Sequence, residues 1–258
     1  MSRVRKRTFG QPPAWSYPIV RVMPRDQQPS SLGLRGIALL EGLPAERLDA
    51  LARECAWRTL APEQQIISRE ADDRDLYLIV SGRVRVTTYS AGGRQVTFRD
   101  IGAGDYFGEV AAIDGERRSA DVIALESTLV ASMPPAVFRR LLREEQTVAQ
   151  RMLLRLATLM RGLSERVIDL STLGVQNRIH AELLRLAREV GAAGNTARIE
   201  PAPKHADIAS RVSTYREQVT RELSALVKLG ILERGEHALV IRDLARLERL
   251  VEEVRGAA

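Results

Sequence analysis

The sequence is poor in the residues that carry covalent, redox or metal chemistry. Among its 258 residues there are three histidines and a single cysteine, Cys55, which excludes an intramolecular disulfide and a four-cysteine iron–sulfur cluster. The histidines lack the spacing of a metal-ligand motif, although histidine alone leaves a haem ligand open. No set of nucleophile, base and orienting group and no triphosphate-binding loop is recognisable. We therefore predict no catalytic residue, no metal site and no enzyme.

Lysine is also scarce. Only Lys6, Lys204 and Lys228 are lysines among the 39 basic residues, and the formal net charge is +6. This charge favours nucleic acid or a membrane surface as a partner only weakly, whereas arginine suits the recognition of phosphate and guanine. A GC-rich coding sequence explains the same preference for arginine equally well.

Long apolar runs are missing as well. No stretch reaches the length of a membrane-spanning helix. The basic start of the chain, with Arg3, Arg5 and Lys6, is not followed by the apolar stretch of a secretory signal. We therefore expect a cytoplasmic protein without a membrane partner.

The pattern of prolines and apolar residues divides the first half of the chain. Residues 1–33 are interrupted by prolines, which prevents a regular helix or strand, so this segment is predicted to be a flexible arm, solvated rather than bound to DNA. Apolar residues three to four positions apart predict a helix over 36–58. Short apolar or alternating runs over 63–133, separated by turn glycines, predict a β-sandwich or barrel.

Helical periodicity returns in the second half. A narrow apolar seam runs through 147–170, with residues three or four positions apart: Met152, Leu156, Leu159, Leu163, Val167 and Leu170. Such a seam is typical of a coiled coil. It can also pack on the β domain, but a stripe this long on one helix favours a dimer axis.

The C-terminal segment has the outline of a winged helix-turn-helix. Helices are predicted near 175–190, 204–212 and 215–229, followed by a hairpin with strands at 231–233 and 238–241. On the third of these helices, the apolar residues Val219 and Leu223 fall on one face, and Glu217 and Arg221 fall nearly opposite. Polar residues so placed suit a recognition helix in the major groove. The alternative is a capping box from Thr214 to Glu217 with an ordinary i, i+4 pair.

One stretch of the β domain, residues 107–120, combines groups suited to a sugar phosphate. Glu109 follows a glycine and can accept hydrogen bonds from a sugar hydroxyl, and nine residues later come the guanidinium of Arg118 and the hydroxyl of Ser119. The small residues Val110 and Ala111 allow backbone N–H groups to approach a phosphate. The alternative is a solvated turn.

This stretch closely resembles the phosphate-binding cassette of cyclic-nucleotide-binding domains, and residues 147–254 resemble the dimerisation helix and DNA-binding domain of the CRP/FNR superfamily of transcription regulators. The resemblance spans about 36–250. It implies an α+β protein: a cyclic-nucleotide-binding β-roll at 34–146, a dimerisation helix at 147–172 and a winged helix-turn-helix domain at 173–258, after the arm at 1–33.

The resemblance implies a role for each cassette residue. Gly108 and Glu109 would hold the ribose 2′-hydroxyl, and Arg118 and Ser119 the cyclic phosphate, with Arg117 facing solvent. The implied ligand-binding residues are Gly108, Glu109, Val110, Ala111, Arg118, Ser119 and, on the long helix, Ser164. At the position before Ser164 the family's threonine is replaced by Leu163, so cyclic AMP, cyclic GMP and a pocket with a different effector or none all stay open.

The resemblance also implies a DNA-binding surface. Arg216, Glu217 and Arg221 would read base edges, whereas Lys204 and Arg211 would meet phosphates; the implied DNA-binding residues are Lys204, Arg211, Thr214, Arg216, Glu217 and Arg221. The turn glycine of the family is Ser213 here, and its helix-starting Thr or Ser is Pro203. The implied function is a homodimeric, cyclic-nucleotide-responsive regulator on inverted-repeat operators, with RNA polymerase as a further partner. The alternative is a sensor module that acts on a protein partner.

Overall fold

The computed structural model describes residues 31–69, 71–90 and 92–255. The predicted arm at 1–33 therefore lies almost entirely outside the described residues. In the described ranges, no helix is long and apolar enough to cross a membrane.

The N-terminal part is a β-roll covered by short helices. After a short helix α1 (Ser31–Arg35), a 3-10 turn (Ala38–Leu40) and α2 (Ala45–Glu54), the elements follow in chain order: β1 (Ala56–Leu60), β2 (Gln65–Ile67), β3 (Leu76–Ser81), β4 (Arg83–Tyr89), β5 (Gln95–Gly102), β6 (Tyr106–Phe107), α3 (Glu109–Asp114), β7 (Asp121–Ala124), β8 (Thr128–Met133) and α4 (Pro135–Glu144). The predicted single helix over 36–58 is wrong, because Gly42 and Pro44 interrupt it and β1 begins at Ala56.

Two antiparallel four-stranded sheets form the roll, in the orders β1-β8-β3-β6 and β2-β7-β4-β5. Strand β3 contributes to both cores, because successive side chains of a strand point to opposite faces. Leu76 and Leu78 pack with the helices, whereas Tyr77 and Ile79 pack between the two sheets. This double burial explains why β3 reads as a continuous apolar run rather than an alternating one.

The long helix α5 (Gln146–Thr172) leaves the roll after α4. The predicted seam is not one uniform surface: Met152 is buried and Leu156 packs against the core of the roll. Leu159 is half-buried, and the last three predicted residues, Leu163, Val167 and Leu170, are exposed. We call the stripe formed by Leu153, Met160, Leu163, Val167 and Leu170 the α5 stripe. Successive members are three, four or seven positions apart, as the a and d positions of heptads are.

The C-terminal domain contains α6 (Val175–Val190), β9 (Ala197–Ile199), α7 (His205–Arg211), α8 (Arg216–Lys228), β10 (Leu232–Arg234), β11 (Leu239–Ile241) and α9 (Leu244–Arg255). Its sheet has the order β10-β11-β9 and is antiparallel. Strand β9 lies between two of the predicted helices and was not predicted from the sequence. Ser213, in the turn between α7 and α8, has a φ of 55°, the left-handed region in which glycine is favoured.

Candidate nucleotide pocket and DNA-binding surface

A cavity of about 70 Å³ opens in the β-roll beside the segment that joins β6 to β7. Its wall includes six of the predicted ligand residues, which are contributed by one continuous stretch of chain: Gly108, Glu109, Val110, Ala111, Arg118 and Ser119. The strands β4 and β5 close the other side through Val86 and Arg99. The cassette predicted from sequence therefore borders an actual concave site.

Gly108 is required by the backbone at this site. Its φ is 84°, and a Cβ atom there would lie 2.7 Å from Nη1 of Arg118 and 2.9 Å from the carbonyl oxygen of Asp75. A larger residue would therefore displace the arginine and strain the chain. This close approach lets the Gly108 carbonyl accept a hydrogen bond from Arg118 at 3.0 Å.

The Arg118 side chain is buried and held by the protein itself. It is 4% exposed, and its Nη2 donates to Oδ2 of Asp73 and to the carbonyl oxygen of Asp75, both at 2.8 Å. Its guanidinium also lies 5.7 Å from the ring centroid of Tyr77, while Arg117 is exposed. Among the three guanidinium nitrogens of Arg118, the buried Nε is the one without a hydrogen-bond partner. Asp73 was not predicted from sequence; its one signal is the acidic run before β3.

Glu109 has a cationic neighbour that the sequence reading also missed. Nη2 of Arg99 lies 3.4 Å from Oε1 of Glu109, whose side chain is almost completely buried. Burial lowers the pKa of Arg99, and the charge of Glu109 acts in the opposite direction. A carboxylate that accepts from hydroxyl groups, an arginine and the Ser119 hydroxyl are together able to bind a phosphorylated sugar.

Ser164 does not reach this cavity within a single chain. It is exposed on α5, and its hydroxyl donates to the carbonyl oxygen of Met160 at 3.0 Å. The preceding residue, Leu163, belongs to the exposed α5 stripe.

Helix α8 presents all three predicted base-reading residues to solvent. Arg216, Glu217 and Arg221 are exposed, while Val219 and Leu223 are buried against the domain core. The alternative capping box does not form: the N-cap of α8 is Tyr215, and no side chain caps the helix. The predicted N-cap, Thr214, is instead largely buried in the turn before α8.

Thr214 is 7% exposed, and its backbone N–H donates to the Ala209 carbonyl. Lys204, at the start of α7, is exposed. Of the two residues predicted to contact phosphates, Lys204 is therefore open to solvent, whereas Arg211 is largely buried.

Arg211 is held in a contact between the two domains. Its Nη2 lies 2.6 Å from Oδ2 of Asp100 on β5, and its Nη1 lies 3.4 Å from Oε1 of Glu182 on α6. Only 11% of the Arg211 side chain is exposed. In this arrangement the guanidinium is not free for a DNA phosphate, because carboxylates already occupy it.

A β-roll with a concave site, a long helix and a winged helix-turn-helix together define the class of DNA-binding regulators. Residues 57–145 match the family described as cyclic nucleotide-binding domain, and residues 177–250 match the Crp-like helix-turn-helix domain. The chain belongs to the CRP/FNR family of transcription regulators, whose members are regulators and not enzymes.

Individual relatives agree with this assignment. The cyclic AMP receptor protein of Thermus thermophilus is 32% identical over 221 residues, covering 84% of this chain and 98% of that protein. A CRP-like cAMP-activated global transcriptional regulator of Mycobacterium tuberculosis is 27% identical over 181 residues, covering 70% of this chain and 80% of that protein. The structure of a CooA mutant from Carboxydothermus hydrogenoformans has a TM-score of 0.69 at 22% identity, covering 77% of this chain and 88% of the other. This similarity supports the fold of the chain and not its function.

Proposed function

We propose that this protein binds a cyclic nucleotide in the β-roll and, as a homodimer, binds inverted-repeat operators in the cytoplasm, where RNA polymerase is its partner. The observation that carries the proposal is the cavity itself: Glu109, Arg118 and Ser119 border one space, in a chain that also exposes a recognition helix. The relatives named for cyclic AMP support the same ligand class.

The α5 stripe supports the homodimer. Its five large apolar side chains are between 40% and 67% exposed, and contiguous apolar surface on a water-exposed helix favours association. Two copies packed along α5 would also bring Ser164 of each chain to the dimer axis. The ligand contact implied for Ser164 would then be made across the interface.

The effector proposal is tested by isothermal titration calorimetry of the full chain with cyclic AMP and with cyclic GMP. The non-cyclic 5′-monophosphates serve as ligand controls, because they carry an additional negative charge and lack the cyclic phosphodiester. We expect one cyclic nucleotide to bind at one site per chain and the monophosphates to bind far more weakly. Absence of binding by both cyclic nucleotides contradicts this effector class without affecting the DNA-binding proposal.

The DNA-reading proposal is tested by selection from random duplexes. We expect an inverted repeat with half-sites about 34 Å apart, the spacing of one helical turn. Arg216→Ala should relax the preference at one base pair per half-site, because an arginine bidentate to guanine contributes about 1–3 kcal/mol of discrimination. Lys204→Ala is the matched control: it should weaken all sequences alike and reduce the salt slope by about one unit. An equally sharp motif with Arg216→Ala shows that Arg216 is not a base reader.

A further inference from the structure

Strands β4 and β5 form a ribbon whose two faces serve different parts of the molecule. They pair antiparallel, with Arg85 opposite Asp100 and Val86 opposite Arg99. The Val86–Arg99 pair lines the ligand cavity. The adjacent Arg85–Asp100 pair points to the other face, as neighbouring residues of a strand must, and there it contacts the helix-turn-helix domain.

Four charged side chains connect this face to α7; we call Arg85, Asp100, Asp207 and Arg211 the interdomain cluster. Arg85 donates to both carboxylate oxygens of Asp100, at 2.7 and 2.9 Å, and its Nη1 donates to Asp207 at 2.5 Å. Arg211 completes the cluster at Asp100, at 2.6 Å. Asp100 thus accepts from one arginine of each domain, which makes it the central residue of the cluster.

Three members of the cluster, Arg85, Asp100 and Arg211, are well shielded from solvent, and Asp207 is partly exposed. The side chains of Arg85 and Asp100 are 10% and 17% exposed. Burial alone raises the pKa of Asp100, but the hydrogen bond from Arg85 and the charge of Arg211 outweigh burial and hold that pKa below its usual range. Removal of one partner from such a buried pair leaves another charge uncompensated, which is costly.

Further contacts fix the same orientation. The hydroxyls of Thr97 on β5 and Ser210 on α7 lie 2.9 Å apart. Arg166 of α5 donates to the carbonyl oxygens of Thr97 and Arg211, at 2.9 and 2.5 Å. The docked α7 leaves the reading residues of α8, such as Arg216, exposed. The docked orientation is therefore compatible with DNA binding.

We propose that Asp100 is a positioning residue for DNA binding: through Arg211 and Arg85 it holds the helix-turn-helix domain on the β4–β5 ribbon, and a ligand on the opposite face of that ribbon strengthens this docking. The second clause rests on the proposed function, since it requires the cavity to bind an effector. The first clause concerns the two domains alone.

The test uses the 258-residue chain and its selected operator, with DNA affinity measured by fluorescence anisotropy without nucleotide and with saturating cyclic AMP or cyclic GMP, whichever binds in calorimetry. Asp100→Asn removes the charge at nearly constant shape, and Asp100→Glu restores it. Glu54→Gln is the matched control, because Glu54 forms an ion pair with Arg140 inside the N-terminal domain. We expect Asp100→Asn to weaken DNA binding in the effector-bound state by about five-fold or more, the lower end of typical allosteric coupling. Asp100→Glu should recover part of this loss, and Glu54→Gln should match the wild type.

Two further measurements separate positioning from general instability. Because coupling is reciprocal, loss of docking should also weaken effector binding by Asp100→Asn in the absence of DNA, by a factor comparable to the loss in DNA affinity, whereas a damaged β-roll would abolish effector binding. In a double-mutant cycle, Arg211→Ala should add little to Asp100→Asn, because both changes remove the same contact.

Three other results contradict the proposal, each in a different way. Effector-free DNA affinity that rises to the effector-bound level in Asp100→Asn means that docking inhibits DNA binding. Unchanged affinity in both states means that the cluster has no part in DNA binding. A wild type that binds DNA but responds to no cyclic nucleotide contradicts the proposed effector and the second clause, and the effect of Asp100→Asn on DNA affinity alone then decides the first.

Discussion

Replacement of Arg118 by leucine should destabilise the β-roll even in the absence of a ligand. The buried guanidinium donates to a carboxylate and to two carbonyl oxygens, those of Asp73, Asp75 and Gly108. Loss of a buried hydrogen bond to a charged group costs about 1–3 kcal/mol. Asp73 keeps a hydrogen bond from the Tyr77 hydroxyl and the Gly108 carbonyl keeps one from the Ala112 N–H, so we take the lower end for each of the three hydrogen bonds that Arg118 donates. The expected decrease in the free energy of unfolding is about 3 kcal/mol.

The measurement is urea unfolding followed by circular dichroism, at equal protein concentration and without nucleotide. Arg117→Leu is the matched control, because this neighbouring arginine is exposed and surface substitutions usually change stability by less than about 0.5 kcal/mol. A decrease below about 1 kcal/mol for Arg118→Leu would refute the reasoning, since the three hydrogen bonds donated by Arg118 would then contribute almost nothing to stability.

This structural role changes how ligand-binding data on Arg118 are interpreted. Loss of a charge-assisted hydrogen bond to a phosphate is expected to weaken binding by about 1.5–3 kcal/mol, but a partly unfolded β-roll also binds weakly. Calorimetry on Arg118→Leu is therefore informative only at a temperature at which unfolding data show the variant to be folded. Equal ligand affinity of folded Arg118→Leu and wild type, with loss of affinity in Arg117→Leu, would show that the phosphate contact belongs to Arg117.

Three further predictions concern other parts of the molecule. Leu163→Glu should give monomers in sedimentation velocity, because it places a carboxylate in the proposed apolar interface, whereas Arg161→Glu, exposed on the same helix but outside the α5 stripe, should stay dimeric. Cys55 should react with a thiol reagent at pH 8 only after unfolding, because burial, followed by the nearby negative charges, raises its pKa to about 12; rapid modification of the native protein would contradict this. Since the folded-state pKa of Asp100 lies below the ordinary value of 3.8, its contribution to stability is complete above that value and is lost as the pH falls through the folded pKa. Asp100→Asn should therefore reduce the acid-induced loss of stability in urea titrations between about pH 5 and pH 2.

The parts of the pocket that sequence reasoning predicted are those contributed by one continuous stretch. Glu109, Arg118 and Ser119 are close in the chain, so their order and spacing are visible without a fold. Asp73 and Arg99 reach the same place from an earlier loop and from β5, and only tertiary structure brings them there. Single charged residues of this kind look like surface residues in a sequence.

The long helix shows a related limit. Periodicity indicated an apolar seam, but periodicity does not say which surface covers each residue. The first turns of α5 lie against the β-roll, so Met152 is buried within the chain, whereas Leu163 is exposed. Leu156 packs partly on the core, so its replacement would disturb folding as well as assembly. Leu163 is therefore the residue at which assembly can be tested alone.

Arg211 illustrates why a basic residue beside a recognition helix is an ambiguous signal. An arginine there can bind a DNA phosphate or a protein carboxylate, and the sequence favours the phosphate because the acidic partner is 111 residues away. The buried, short contact with Asp100 is stronger than an exposed ion pair, because little water screens it. DNA would have to displace this carboxylate before it could use Arg211, whereas Lys204 is already exposed. Counterion release on operator binding should therefore depend on Lys204 and not on Arg211, although both are basic residues of the same helical hairpin.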